Sequence, residues 1–188
     1  MDPLPLESGR GILCLRPNVG REEALREFSA TGTLSRLAHG PLRSLAEIHI
    51  PYRLYRLEIC DGPARDVLYL ALDSVRASFD AYSFPAVPRE PELRLLETRN
   101  HPAPRVPEEH ARAEILERGR RLAYARGMLR IRDLRLSAEL VLPNFHIPYW
   151  AGFFGRGAET SGVRVLDAVR RRMEGDKLCA FVREWLAG

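Results

Sequence analysis

Two histidines stand in nearly the same surroundings. His49 lies in Ile48-His49-Ile50-Pro51-Tyr52, and His146 follows 97 positions later in Phe145-His146-Ile147-Pro148-Tyr149. Each motif has an acidic echo downstream, Leu72-Asp73-Ser74-Val75-Arg76 and Leu166-Asp167-Ala168-Val169-Arg170. Imidazoles joined by a carboxylate can hold a transition metal, and two carboxylates within about 10 Å can run a hydrolysis. The same residues have plainer uses. A His can bond the backbone where proline interrupts a strand, and Asp73 with Arg76, or Asp167 with Arg170, can form cross-strand ion pairs. Tyr52, Tyr149, Trp150, Phe153 and Phe154 add an aromatic set, suited to a pocket or peptide groove, or simply to sheet core. The candidate ligand-binding residues are therefore His49, Tyr52, Asp73, Arg76, His146, Tyr149, Trp150, Asp167 and Arg170. No catalytic residue, metal or cofactor is assigned, because the chain has no Gly-rich phosphate loop, no nucleophile elbow and no His-Glu-x-x-His.

These residues need strands to position them. Residues 45–59 alternate in polarity with a kink expected at Pro51, and Val67 to Phe79 is rich in β-branched and aromatic residues, the pattern of one long strand. Leu134–Leu142, His146–Phe154 and Val163–Met173 are three further strand candidates, with a hairpin tip over Gly155–Gly162. Gly11–Leu15 and Leu93–Glu97 are short apolar runs that match each other in position ahead of a helix. Asn18 is suited to cap a helix over Arg21–Phe28. Pro107 opens a helix over Glu108–Arg126 whose apolar face holds Ile115, Leu122 and Leu129 beside Ala111 and Ala125, with Gly127 at its end. Asp176 caps a last helix bearing Leu178, Phe181, Val182 and Trp185.

The pattern predicts an α+β fold of two β-α-β-β-β pseudo-repeats with antiparallel sheets and helices packed on one face. Residues 1–88 form the first unit and 89–188 the second, which also carries the closing helix; the two are close enough in size to fuse into one globular domain.

Composition limits the function. The 188 residues are 45% hydrophobic and 29% charged, ordinary for a soluble globular protein. No apolar run approaches the ~20 residues of a membrane helix, and the N-terminus lacks the pattern of a signal peptide, so a cytoplasmic location is expected. Cys14, Cys60 and Cys179 have no metal-ligand spacing and are expected as buried thiols. The net charge of +4 comes almost wholly from Arg, and eight Arg fall between 112 and 135. That run can follow a phosphate backbone, but with no interleaved aromatics a solvated helix face is preferred.

The residues His146-Ile147-Pro148-Tyr149-Trp150 leading into Val165-Leu166-Asp167-Ala168-Val169 resemble the Pro-Tyr-Trp … Asp-Ala-Val strand pair of poorly characterised prokaryotic domains of the cystatin-like, PepSY-like kind. The first half carries the same pattern, with Arg53 where the second has Trp150. The resemblance implies a helix on a curled antiparallel sheet and a binding or inhibitory module, with no catalytic residues to transfer. The chain departs from PepSY-like domains, commonly extracytoplasmic, in showing no signal peptide. Together these features predict a non-catalytic module for a protein or peptide partner. The alternatives are a metal-dependent or hydrolytic enzyme using the repeated His/Asp pairs, and an Arg-mediated nucleic-acid binder.

Overall fold

The computed structural model describes residues 11–30, 40–125, 133–155 and 162–187. The elements run β1 (Gly11–Leu15), α1 (Arg21–Ala30), β2 (Leu42–Asp61), β3 (Ala64–Asp73), β4 (Tyr82–Phe84), β5 (Leu93–Glu97), α2 (Glu108–Ala125), β6 (Leu134–Phe154), β7 (Gly162–Asp167), β8 (Arg172–Met173) and α3 (Asp176–Ala187). The fold is α+β, with the strands joined in one curled sheet and three helices among the described residues. None of these helices is long and apolar enough to cross a membrane.

The spine is β2 against β6, antiparallel from Leu42↔Phe154 to Asp61↔Leu134. At its centre the two histidine motifs pair in reverse order: Ile48↔Tyr149, His49↔Pro148, Ile50↔Ile147, Pro51↔His146 and Tyr52↔Phe145. β3 folds back on the second part of β2 through a turn in which Gly62 takes a positive φ of 57°, a conformation glycine adopts without steric cost. β7 lines the second part of β6 from Tyr149↔Asp167 to Phe154↔Gly162. β1 pairs with β5 around Leu13↔Leu95 and meets β6 in parallel at Cys14↔His146.

Both prolines sit inside long strands without breaking them. The Pro51 carbonyl accepts the Ser74 N–H, and the Pro148 carbonyl accepts the Ala168 N–H. In a strand the N–H and C=O of one residue point to the same edge. The missing proline N–H therefore faces away from the β2–β6 ladder, where pairing with β3 and β7 starts only at Tyr52 and Tyr149. This is why β6 is one strand rather than the two expected.

The core lies on both sides of the sheet. On one side Ile48, Ile50, Tyr52 and Leu54 join Phe145, Ile147, Tyr149 and Ala151, roofed by Leu178, Phe181 and Val182 of α3. On the other, Tyr55, Leu57, Leu70 and Leu72 receive Ala111 and Ile115 of α2, while Trp150, Phe154 and Leu166 receive Ala24 and Phe28 of α1. Each fully buried Ile, Leu or Phe here contributes roughly 1.5–3 kcal/mol. Helices thus cover both faces, not one, because β2 and β6 are apolar on both and each face needs a cover. α1 packs on β2, β6 and β7, and α2 packs on β2, β3 and β6.

Other expectations change locally. The strand predicted to Phe79 ends at Asp73, and the one predicted to Met173 is split by a turn after Asp167. Asn18 does not cap α1; its amide donates to the Val169 carbonyl, and the first turn closes as Ala24 N–H to Gly20 carbonyl. The first turn of α3 closes the same way on Gly175, one residue before the expected Asp176. The buried stripe of α2 is Ala111, Ile115, Gly119 and Ala123, with Leu122 exposed, because small residues let the helix approach Leu57 closely. Leu129, Gly127 and positions 156–161 lie outside the described residues.

Candidate binding site at the paired histidine motifs

Alternation along β2 and β6 divides the candidate residues. His49 and His146 lie on the side of the sheet away from Tyr52 and Tyr149. Asp73 and Asp167 are the register partners of Tyr52 and Tyr149, so they share the tyrosine side. The sheet therefore separates the two His from the two Asp. Among the described residues no group of three or more His, Cys, Asp or Glu side chains is placed to hold a metal ion.

On the tyrosine side the polar groups satisfy one another. The Tyr52 and Tyr149 hydroxyls are 2.9 Å apart, and Tyr82 donates its hydroxyl to Asp167 Oδ2. Burial holds all three phenols well above their ordinary pKa, so they stay neutral. Asp73 is wrapped by its own chain. Its Oδ1 accepts the N–H groups of Val75, Arg76 and Ala77 at 3.2, 2.7 and 3.0 Å, and its Oδ2 those of Ser78 and Phe79, both at 3.0 Å. Asp167 Oδ1 likewise accepts Val169 and Arg170 N–H at 2.8 and 2.7 Å. The expected Asp–Arg cross-strand pairs are absent, because backbone donors occupy the carboxylates. Arg76 instead pairs with Glu184 over the Phe181 ring, and Arg170 lies 3.4 Å from the Tyr82 ring centroid and donates to the Ala81 carbonyl.

The aromatic set does not line one groove. Tyr52 and Tyr149 are in the α3-side core, whereas Trp150 packs under α1 and donates its indole N–H to the Val19 carbonyl at 2.9 Å. Arg53 does the corresponding job, donating to the Val106 carbonyl at 2.7 Å just before α2. Arginines of α2 are partly neutralised on the helix itself, Arg118 by Glu114 and Arg120 and Arg121 by Glu117.

The histidine side is less settled. His146 Nδ1 lies 3.2 Å from the Leu13 carbonyl, which fixes the proton on that nitrogen, and burial pushes its pKa down to about 4. The His101 ring packs edge-on against it, with centroids 5.3 Å apart. His49 is 2% exposed, its backbone N–H donating to the Asn100 carbonyl. Its Nε2 is 3.4 Å from Glu47 Oε1 without hydrogen-bond alignment, and neither ring nitrogen makes a hydrogen bond among the described residues. The same Glu47 oxygen is 3.9 Å from Arg94 Nη2, and contact with His49 and Arg94 holds Glu47 below the usual carboxylate range. Cys14 is the register partner of both Arg94 and His146, but burial pushes its thiol up to about 12 and its Sγ–H points to the Leu15 carbonyl. A thiol so protonated beside so weak a base is no nucleophile at neutral pH.

β5 connects this cluster to the surface. Arg94 is half-buried, while Leu95 is 69% exposed. β1 is the only strand partner of β5 among the described residues. A cleft of about 510 Å³ opens beyond the end of β5, lined among the described residues by Glu97, Thr98, Arg99 and His101. Sequence reasoning found His49 and His146 but missed Glu47, Arg94 and His101. They converge only through the β1–β5 pairing and the 98–101 segment, which leave no local periodic signal. No family model, no curated protein and no solved structure matches the chain.

Proposed function

We propose that the protein is a non-catalytic binding module, made of two copies of one β-α-β-β-β unit of the cystatin-like, PepSY-like kind, and that it takes an extended segment of a partner protein or peptide along the outer edge of β5. Leu95 carries this reading: a leucine 69% exposed on a strand paired on one side only among the described residues. Open N–H and C=O groups make such an edge a template for another strand, and covering Leu95 would add roughly 1.5–3 kcal/mol. The segment that fits has apolar residues at alternate positions, to lie against Leu95 and its neighbour Leu13.

The doubled reading is supported by the reverse-order pairing of the two histidine motifs, which a twofold relation between copies would produce. The shared role of Arg53 and Trp150 supports it too. The non-catalytic reading is supported by the separation of His from Asp across the sheet and by the protonated Cys14.

The test is selection of random heptapeptides on the immobilised protein, repeated with Leu95→Lys. The expected result is enrichment of sequences with alternating apolar residues and at least tenfold weaker binding to the variant. Absence of enrichment, or binding indifferent to Leu95→Lys, would overturn the reading.

A further inference from the structure

We propose that His49, Arg94 and His101 form a binding site for a small oxyanion of the carboxylate or phosphate type, reached through the cleft over Glu97–His101. This site is independent of the β5 edge reading. Four buried polar atoms here make no hydrogen bond among the described residues: His49 Nδ1 and Nε2, the latter 3.4 Å from Glu47 Oε1, Arg94 Nε and His101 Nδ1. A neutral imidazole always carries one N–H donor and one acceptor, and a guanidinium carries only donors. Native proteins rarely leave such groups unmade, at about 1–3 kcal/mol each. His49 is the sharpest case, because at 2% exposure its ring has almost no reach to bulk water.

The chemistry of the neighbours selects the ligand. Arg94 on β5 supplies a fixed positive charge and an Nε–H that requires an acceptor. Glu47 on β2 supplies a negative charge that balances Arg94. His146 on β6 is neutral, with its Nδ1 proton committed to the Leu13 carbonyl, and Cys14 on β1 is a neutral thiol. Among the described residues none of these accepts the Arg94 Nε–H in this structure. A ligand that meets Arg94 and two imidazoles together needs several acceptor oxygens on one small centre, which a carboxylate or phosphate provides. The anion can accept from the donor nitrogen of each imidazole as well as from Arg94 Nε. The cleft reaches the cluster at His101, and its described lining also holds Arg99 and Glu97.

The experiment records the histidine ring ¹⁵N resonances of the full chain while inorganic phosphate or acetate is added at constant ionic strength, with chloride as the control. The expected result is a saturable shift of His49 and His101 with phosphate, acetate or both, the stronger arm naming the ligand type. Arg94→Met is expected to weaken binding at least tenfold. His101→Gln, at a partly exposed position, keeps the test decisive if Arg94→Met fails to fold, and is expected to weaken binding severalfold. No saturable shift in either arm, or saturation unchanged in both variants, would overturn the proposal.

Discussion

Replacing Asp73 by Asn should cost distinctly more stability than replacing Asp167 by Asn. Asparagine keeps one acceptor oxygen and turns the other into a donor. With the oxygen kept toward Val75, Arg76 and Ala77, the new NH₂ faces the N–H groups of Ser78 and Phe79, which then lose their acceptor. The Phe79 N–H is buried, and each unmade bond costs about 1–3 kcal/mol, so the loss comes to roughly 2–4 kcal/mol. At position 167 the oxygen can stay with Val169 and Arg170, and the NH₂ meets the Tyr82 hydroxyl, which can turn from donor to acceptor. That loss is about 1–2 kcal/mol, mainly from weaker bonds to an uncharged acceptor. Against a total stability of about 5–15 kcal/mol the gap is readily measured. Urea titrations followed by the fluorescence of Trp150 and Trp185 should show equal slopes and a lower midpoint for Asp73→Asn. Equal midpoints, or a lower one for Asp167→Asn, would refute the view that the turn after β3 is built around its carboxylate.

Three further outcomes follow from the geometry. Tyr52→Phe and Tyr149→Phe should each cost about 1–2 kcal/mol by removing the 2.9 Å hydroxyl pair, and the double variant should cost less than the sum; strict additivity in a double-mutant cycle would contradict the contact. Gly152→Ala places a Cβ 3.0 Å from the Phe28 ring and 3.2 Å from Leu42, so a loss of about 1–3 kcal/mol is expected, partly recovered with Phe28→Leu; an unchanged melting temperature would count against this packing. His146 has a folded pKa of about 4 against an ordinary 6.5, so the unfolded chain binds a proton that the folded chain refuses. Stability is therefore lost as pH falls from 6.5 toward 4, by up to about 3 kcal/mol, and the loss should be smaller in His146→Gln when urea midpoints are compared at pH 7.5 and 4.5.

Much of the fold was legible because it is local. The repeated His-Ile-Pro-Tyr motif, the apolar face of α3 and the helix-opening Pro107 all announce themselves within one element. The turn from Ser74 to Phe79 was not legible: Val75 and Phe79 suggest a strand, yet the Asp73 carboxylate competes for the backbone donors and stops it. Nor could sequence place His and Asp on opposite faces, since that depends on which residues of β3 and β7 oppose the two tyrosines. The long strands running through Pro51 and Pro148 were obscured for a related reason. Whether a proline interrupts a ladder depends on which edge its missing N–H faces, and the sequence does not carry that.

The most direct measurement is the β2–β6 register in solution, read from cross-strand nuclear Overhauser contacts. Contacts joining Ile48 to Tyr149, Ile50 to Ile147 and Tyr52 to Phe145 are predicted. A spectrum that sets Ile50 opposite any residue other than Ile147 would contradict the seam on which both imidazole placements and the doubled reading depend.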